Sequence, residues 1–294
     1  MDIVLQILVN GLMLGGLYAI VSVGLTLIFG VTRVINFAHG EFLMVGMYLV
    51  YLLTTRLEVH PYLTVVGVLP CLFLLGALTQ KLIIERLQNS DEHVQIFATV
   101  GLSIALINLA LLVFGADIAS TPSSGLRTRI SLASSGVLLG QLVIFVTAIG
   151  LVAGLQLVLS RTRLGRAIRA TAQNRAAARL MGINVSRIYA FTFGLGAACV
   201  GLAAVMVAPL YPTSPNIGTY FVLIAFVVVV MGGLGSITGA FVAALIVGLV
   251  DAFASYYWGS DLKEVAVFGI FLLVLILRPS GLFGTARNLS HVSP

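Results

Sequence analysis

Ile217 to Tyr257 form one almost continuous apolar stretch, IGTYFVLIAFVVVVMGGLGSITGAFVAALIVGLVDAFASYY. As a single α-helix it would be about 61 Å long, twice the ~30 Å thickness of the hydrocarbon core of a bilayer. The chain must therefore turn back, and we place the turn at the glycine cluster Gly232-Gly233-Leu234-Gly235-Ser236. The stretch predicts two membrane-spanning helices joined by a tight turn.

The composition of the whole chain supports a membrane protein. Apolar types make up 60% of the 294 residues and charged types only 9%, against ~45–50% and ~25% in soluble domains. So few charged side chains cannot cover a water-soluble fold of this length. The net charge of +6 comes from one segment, 160–187, which holds seven arginines and no acidic residue. The composition argues against a soluble enzyme, a disordered chain and a nucleic-acid-binding protein.

Apolar runs long enough for membrane helices recur along the chain. The nine runs are 4–29, 37–55, 62–79, 95–115, 137–159, 188–208, 217–231, 238–257 and 264–277. In lipid only helices and closed barrels satisfy their own backbone groups, and the alternating pattern of barrel strands is absent. The sequence therefore predicts an all-α polytopic bundle with eight or nine spans, forming one transmembrane domain over residues 1–294. Pairs of glycines four residues apart predict close helix packing; they are Gly11/Gly15, Gly136/Gly140, Gly150/Gly154 and Gly235/Gly239.

Basic residues in short loops predict the orientation, because such loops stay on the cytoplasmic side. The segment 160–187 fixes the end of the fifth span inside, and counting spans in both directions puts the N-terminus outside and the C-terminus inside. The other basic residues that then lie inside are Arg33, Lys81, Arg86, Arg278 and Arg287. Among the arginines, the exceptions are Arg56 and the pair Arg127 and Arg129, which lies in the polar loop 116–136. That loop is predicted to be external.

The cytoplasmic segment 160–187 is too long for a simple connector and is rich in helix-forming residues. Residues 167–172 predict a first short helix. Asn174 is suited to be the N-cap of a second helix over 175–181, and Gly182 to be its C-cap. The arginines either anchor the segment to acidic lipid headgroups, at ~1 kcal/mol each, or form a docking element that transmits the motion of a cytoplasmic partner. The compact capped helix favours docking.

Three separated motifs carry a resemblance to a known family. They are Asn36-Phe-Ala-His-Gly-Glu-Phe42, then Leu164-Gly-Arg-Ala-Ile-Arg-Ala170 with Asn174 and Met181-Gly-Ile183, and finally Met231-Gly-Gly-Leu-Gly-Ser-Ile-Thr-Gly-Ala240. They resemble the branched-chain amino-acid permeases of ABC importers, and the H-type subunit more than its longer M-type partner. The similarity continues to Arg278-Pro-Ser-Gly-Leu-Phe283, so it covers essentially the whole chain. Ala176-Ala-Ala-Arg-Leu-Met-Gly182 resembles the coupling loop of such importers, with Ala176 at the usual glutamate position.

The resemblance implies import of branched-chain or related aliphatic amino acids across a bacterial inner membrane, by alternating access. It implies as partners a second homologous permease, two cytoplasmic ATPases and a soluble external substrate-binding protein, in addition to the bilayer and without nucleic acid. Whether the permease pair is homomeric or heteromeric stays open. The residues implied to couple to the ATPases are Arg166, Arg169, Asn174, Arg175, Ala176, Arg179 and Gly182.

The chain itself is not predicted to be an enzyme or to hold a cofactor. It has no Gly-x-x-x-x-Gly-Lys-Ser/Thr phosphate-binding loop, so ATP and Mg²⁺ are expected on the partner ATPases. The four histidines, at 39, 60, 93 and 291, are scattered along the chain. No Ser/His/Asp or metal-ligand spacing emerges, and no metal site is predicted.

Ionisable residues inside spans tend to face cavities, which makes two positions candidates for the substrate pathway. Asn36, His39 and Glu41 lie at the start of the second span. They are expected to line or close the inner mouth of the pathway; the alternative is a capped helix start, with Glu41 stabilised by the helix dipole by ~0.3–1 kcal/mol. Asp251, on the outer half of the eighth span, either binds a substrate ammonium or pairs with a tyrosine near the interface.

The glycine cluster and the external loop leave alternatives open. Gly232, Gly233 and Gly235 form either a tight turn, which we favour, or a broken helix whose N–H groups face a substrate carboxylate. Arg127 and Arg129 are predicted to meet acidic patches on the binding protein, the alternative being a solvated loop. Competing functions are a permease for urea or small amides, a proton-coupled carrier and a passive channel.

Overall fold

The computed structural model describes residues 2–88, 90–123, 125–132 and 135–284. Every one of the nine predicted apolar runs is helical. The corresponding helices are α1 (Asp2–Thr32), α2 (His39–Arg56), α3 (Val65–Thr79), α5 (Glu92–Phe114), α6 (Leu139–Arg161), α9 (Val185–Val207), α10 (Ile217–Gly232), α11 (Ile237–Tyr257) and α12 (Lys263–Leu277). A 3₁₀ turn (Pro61–Thr64) precedes α3, and a π-helical turn (Gln80–Ile84) and the short α4 (Glu85–Leu87) extend it. The two remaining helices, α7 (Arg163–Gln173) and α8 (Arg175–Leu180), lie in the segment 160–187.

The prediction of an all-α membrane bundle is confirmed. Within the described ranges, six helical stretches are both long and apolar enough to cross a membrane: Ile3–Thr32, Pro61–Leu87, Glu92–Phe114, Leu139–Arg161, Val185–Val207 and Ile237–Tyr257. The helix α10 is apolar but shorter. The count of eight or nine crossings and the sides of the two termini stay predictions.

A small β-hairpin interrupts the loop 116–136, where no strand was predicted. Strands β1 (Arg129–Leu132) and β2 (Ser135–Leu138) pair antiparallel, with Arg129 opposite Leu138. The side chain of Gln6 holds the hairpin against the start of α1, donating to the Gly136 carbonyl at 3.1 Å and accepting from the Gly136 N–H at 3.0 Å. The polar loop therefore has a fixed shape over this part.

The centre of the bundle is formed by α1, α9 and α11, while α5 and α6 bury little of their surface. Gly11 lies against Leu249 and Gly15 against Leu245, so α1 and α11 run antiparallel with their backbones close together. This confirms the packing predicted for that glycine pair. Gly150 and Gly154 on α6, in contrast, have no described atom within 4 Å of an added Cβ, so their predicted role in packing is not met within this chain.

Contacts between helix ends define two opposite ends of the bundle. At one end Gly30 meets Gly235, and Ser186 donates to Glu85 at 2.6 Å. The helices α7 and α8 lie at this end, whereas the β-hairpin lies beside the start of α1 at the other. The segments 160–187 and 116–136 are thus on opposite ends, as the predicted orientation requires. Of the residues predicted to lie inside, Arg287 falls outside the described ranges.

Candidate functional site: a broken-helix centre, two cavities and an arginine-rich segment

The connection between α1 and α2 turns back into the bundle instead of running along its end. Arg33 adopts a left-handed backbone conformation, with φ of 57°, and α2 begins at His39. The His39 Nε2 lies 3.1 Å from the carbonyl oxygen of Val21 on α1. Val21 precedes the end of α1 at Thr32 by about 17 Å at 1.5 Å per residue. The first turn of α2 is therefore deep inside the bundle.

This depth differs from the sequence prediction, which put Asn36 at the inner surface. Val34, Asn36 and Ala38 are buried. Thr99 of α5 makes hydrogen bonds to the backbone between these residues. Its hydroxyl accepts from the Phe37 N–H at 3.3 Å and lies 3.1 Å from the Ile35 carbonyl oxygen. Irregular backbone at membrane depth is tolerated when it is buried in protein. An apolar pattern shows that a segment enters the membrane, but it does not show at what depth below the membrane surface the next helix begins.

A second helix begins next to this point. Gly40 of α2 packs against Gly218, in the first turn of α10, so tightly that a Cβ on Gly40 would overlap the Gly218 carbonyl oxygen. With 16 residues, α10 is about 24 Å long, shorter than the ~30 Å hydrocarbon core. Two helix N-termini thus meet inside the bundle, the arrangement by which transporters form ion and substrate sites.

Three polar side chains beside these N-termini carry buried atoms without a hydrogen-bond partner. They are Asn36 Nδ2, His39 Nδ1 and Glu41 Oε2, and all three residues are at most 1% exposed. Because the Val21 carbonyl can only accept, His39 carries its proton on Nε2, which leaves Nδ1 as a free acceptor in the neutral ring. Buried polar groups without partners are uncommon and frequently mark functional positions. The predicted pathway role of these residues stays a prediction.

Asp251 is the centre of a hydroxyl network between four helices. Its Oδ2 accepts from the Tyr18 hydroxyl at 2.7 Å, and its Oδ1 from Ser255 at 3.3 Å. The Tyr18 and Tyr220 hydroxyls lie 3.2 Å apart, and Lys263 Nζ donates to Tyr220 at 3.4 Å. The tyrosine pairing that the sequence offered for Asp251 is present. The network joins α1, α10, α11 and α12.

A large cavity opens above Asp251, at the end of the bundle that holds the β-hairpin. Its volume is about 860 Å³. Arg129 at the start of β1 and Asp251 on α11 both line it. The remaining lining residues include Ile7, Leu14, Ala252, Gln6, Asn10 and Gln141. Sequence analysis assigned Arg129 and Asp251 to different roles, and the structure brings them to one cavity.

The glycine cluster forms the predicted tight turn. Gly233 and Gly235 have φ of 103° and 85°, a backbone region that side chains with a Cβ disfavour. Ser236 caps the start of α11 by accepting from the Gly239 N–H at 3.1 Å. Gly232 is covered by the segment after α12, since its carbonyl accepts from the Phe283 N–H at 3.0 Å. This hydrogen bond covers the turn at Gly232, whereas Gly235 and Ser236 line a cavity at the same end of the bundle. The alternative of N–H groups facing a substrate stays a prediction.

A second cavity of about 330 Å³ lies at the opposite end of the bundle. It is bounded by α1, α6, α7 and the glycine turn; Thr26, Gln156, Arg169 and Gly235 are among its lining residues. Arg169 also donates a hydrogen bond to the Leu159 carbonyl at the end of α6. Arg169 therefore joins the segment 160–187 to the bundle.

The segment 160–187 contains the two capped helices that the sequence predicts. Thr162 caps α7 by accepting from the Gly165 N–H at 2.9 Å. Asn174 caps α8, accepting from the N–H groups of Ala176 and Ala177 at 3.0 Å each. Gly182 ends α8 with φ of 78°, and its N–H reaches the Arg179 carbonyl at 3.0 Å. Both predicted caps are confirmed.

One face of these helices is bound to the bundle and the other is exposed. Ile168 and Ala178 pack in a buried cluster with Val31 of α1, Leu155 of α6 and Ile188 of α9. All seven arginines of the segment are exposed. We name the segment 160–187 the arginine handle. Its buried side chains pack against α1, α6 and α9, so the handle is attached to the bundle.

Sequence analysis missed the apolar tip of the arginine handle. Leu180 and Met181, at the end of α8, are 89% and 82% exposed. Large apolar side chains at a protruding tip are typical of a protein contact. The signal was present in the sequence, since two large apolar residues directly before the capping Gly182 have no further helical turn to pack against.

The sequence of this chain matches a known protein family. Residues 7–277 match the family described as "Branched-chain amino acid transport system / permease component". The chain belongs to this family. The resemblance inferred from the three motifs is confirmed.

Curated relatives of this permease match over almost their whole length. The high-affinity branched-chain amino acid transport system permease protein BraD of Pseudomonas aeruginosa is 34% identical over 95% of both chains. LivH of Escherichia coli K12, named as the same kind of permease, is 31% identical over 95% of both chains. A probable branched-chain amino acid transport permease protein LivH of Methanocaldococcus jannaschii is 29% identical over 95% of this chain and 92% of its own. No solved structure gives a significant match.

The predicted site residues of the permease fall into four places along the bundle. Arg129 and Asp251 share the cavity beside the β-hairpin, which we name the outer cavity. Asn36, His39 and Glu41 lie near the buried N-termini of α2 and α10, which we name the broken-helix centre. The predicted coupling residues lie in the arginine handle, and the predicted glycines form the turn before α11. Arg127 is exposed in the turn before β1 and stays apart from the cavity lining. Over the described residues, no group of three His, Cys, Asp or Glu side chains is placed to hold a metal ion.

Proposed function

We propose that this permease moves branched-chain amino acids across the bacterial inner membrane as one subunit of an ATP-driven importer. The substrate follows from the family and from the printed names of relatives that match over nearly the whole chain. Alternating access then exposes the pathway first at the end with the outer cavity and later at the end with the arginine handle. The permease does not hydrolyse ATP; separate ATPase subunits bind ATP and Mg²⁺.

The observation that carries the proposal is the shape of the arginine handle. Its tip presents two exposed apolar side chains, Leu180 and Met181, next to the exposed Arg175 and Arg179. An apolar centre with a charged rim is the usual anatomy of a protein interface. Anchoring to lipid headgroups would require the arginines but not an apolar tip held rigidly by two capped helices. The handle therefore fits a cytoplasmic ATPase.

The two remaining partners, a second permease and a binding protein, are assigned to other surfaces of the chain. A second homologous permease completes the bundle, on faces such as those of α5 and α6 that bury little within this chain. A soluble binding protein delivers the substrate at the opposite end, where Arg127 is exposed for docking. Arg166 and Ala176 are also exposed on the handle, so they are further candidates for contact with an ATPase.

The competing functions make different predictions. His39 and Glu41 are buried ionisable groups, as a proton-coupled carrier requires, but such a carrier has no use for the arginine handle. Urea or small amides remain alternatives to amino acids as cargo. Uptake of labelled leucine and urea by proteoliposomes, with and without the ATPase subunits, separates the three. Leucine accumulation that requires the ATPases and ATP supports the proposal; accumulation driven by a proton gradient alone contradicts it.

The role of the handle is tested by three pairs of substitutions, two of which remove the same charge. Replacing Arg175 and Arg179 by Ala, or Leu180 and Met181 by Ser, is expected to lower ATP-driven uptake by at least about tenfold, the loss of about 1.4 kcal/mol of contact. The control replaces Arg161 and Arg163 by Ala, which removes the same charge from the start of the handle and is expected to change uptake by less than about twofold. Equal losses in the two arginine pairs would show that only the charge matters.

A further inference from the structure

The outer cavity holds a carboxylate whose charge is balanced by no direct cation contact among the described residues. Asp251 is only 3% exposed, and its hydrogen-bond partners are the hydroxyls of Tyr18 and Ser255. Each donates a single proton, whereas a carboxylate has about four acceptor positions. Asp251 is therefore able to accept further hydrogen bonds from a donor that enters the cavity, and an ammonium group is the donor that best offsets its charge.

A positively charged side chain, that of Arg129, lines the same cavity. Arg129 lies at the first position of β1, where pairing with Leu138 fixes its backbone. The two hydrogen bonds between Gln6 and Gly136 tie that hairpin to α1, which also lines the cavity. Arg129 is exposed. A guanidinium binds carboxylates with two parallel hydrogen bonds, a geometry that lysine cannot reproduce.

The remaining walls suit an aliphatic side chain. Ile7, Leu14 and Ala252 provide apolar surface in the lining of the same cavity. The volume of about 860 Å³ lies within the ~300–1,000 Å³ usual for sites that bind small molecules. The cavity thus combines an anionic group, a cationic group and an apolar wall, the three features that a free branched-chain amino acid presents in complementary form.

We propose that the outer cavity is a binding site for the zwitterionic substrate, in which Asp251 accepts hydrogen bonds from the ammonium group and Arg129 binds the carboxylate. Tyr18 holds the Asp251 carboxylate in place and is a positioning residue. This assignment rests on the proposed function, because it names where the transported amino acid first contacts the permease. It also explains why an arginine is present in a loop that should avoid basic residues.

The first test measures ATP-driven uptake of labelled leucine by the complete transporter in proteoliposomes with saturating binding protein. Asp251→Asn and Arg129→Gln are each expected to lower the maximal rate by at least about tenfold, the usual size of a lost charge-assisted hydrogen bond. The matched controls are Asp261→Asn and Arg56→Gln, which remove the same charges from exposed positions outside the cavity lining. They are expected to keep the wild-type rate. Normal rates in both cavity variants would overturn the site.

The second test separates substrate binding from a purely structural network. The thermal midpoint of the purified transporter is measured without binding protein, with L-leucine, with 4-methylpentanoate, which lacks the ammonium, and with 3-methylbutylamine, which lacks the carboxylate. Leucine alone is expected to raise the midpoint of the wild type, and Asp251→Asn is expected to abolish this rise. Tyr18→Phe, which keeps the carboxylate, is expected to retain most of it. If Tyr18→Phe and Asp251→Asn transport equally poorly and both keep the leucine response, the network is structural and the proposal is wrong.

Different results would contradict the proposed function and the assignment of the binding site. A wild-type transporter that takes up no leucine contradicts the proposed function itself. A wild-type transporter that takes up leucine, together with cavity variants that do so at the same rate, contradicts only the assignment of Asp251 and Arg129.

Discussion

Single glycines decide how closely the helices of this permease approach. Gly40 and Gly218 let the first turns of α2 and α10 meet backbone to backbone. Without this contact, the two N-termini and the polar side chains beside them could not lie together inside the bundle. Gly40 stands between His39 and Glu41, so the packing requirement and the candidate pathway residues occupy one short motif.

Replacing Gly40 by Ala is expected to destabilise the permease by about 1–3 kcal/mol, the usual penalty for overpacking a core. The added Cβ would overlap backbone, which cannot move aside as a flexible side chain can. The measurement is the thermal midpoint of the purified transporter. The control is Gly101→Ala on α5, where an added Cβ meets nothing within 4 Å among the described atoms. A midpoint for Gly40→Ala equal to that of the control would refute the packing argument.

At the scale of helices, two short capped helices, α7 and α8, form the arginine handle on the surface of the bundle. The helix α8 has only six residues, too few to be stable alone. It persists because Asn174 satisfies two of its free N–H groups and because Ala178 is buried against the bundle. Caps therefore matter more here than in a long helix.

Asn174→Ala is expected to loosen α8, since losing an N-cap costs about 0.5–2 kcal/mol. Leucine transported per ATP hydrolysed should fall, while assembly into the membrane is preserved. Asn174→Asp keeps an acceptor at the cap and should keep most of the coupling. The comparison is made in proteoliposomes with both substrate uptake and phosphate release recorded. Equal coupling in the Ala and Asp variants would show that the cap is not needed.

The corner between α6 and α7 depends on Gly165. A Cβ at this position would overlap the carbonyl oxygens of Val158 and Leu159. Gly165→Ala is therefore expected to lift the handle from its seat and to increase cleavage of 160–187 by an added protease in inverted vesicles. Gly150→Ala, on the open surface of α6, serves as the control. Unchanged cleavage in Gly165→Ala would contradict the seating described for the handle.

The positions of the apolar helices could be predicted from the sequence, because a long apolar run is the main signal of a membrane helix. The number of crossings stays a prediction. The caps at Asn174 and Gly182 could also be predicted, since they depend on neighbouring residues only. The depth of His39 could not, because it depends on contacts between α1, α2 and α10, which are distant in the chain. The joint cavity of Arg129 and Asp251 was missed for the same reason, and the β-hairpin because its strands are only four residues each.

At the scale of the whole molecule, the permease has two structurally distinct ends. One end holds the outer cavity, lined by Arg129 and Asp251, and the other holds the arginine handle with its apolar tip. Between them lies the broken-helix centre, where two helices begin beside Asn36, His39 and Glu41. Alternating access requires that these three parts lie in this order across the membrane.

The most direct test of this order is the accessibility of single cysteines to a membrane-impermeant maleimide. The background is Cys71→Ser, since the other cysteine, Cys199, is buried. Ala177→Cys in α8 and Arg127→Cys in the external loop are both at exposed positions. We predict labelling of position 177 only in inverted vesicles and of position 127 only in right-side-out vesicles. Labelling of position 177 in intact right-side-out vesicles would contradict the account, because the handle would then face away from any ATPase.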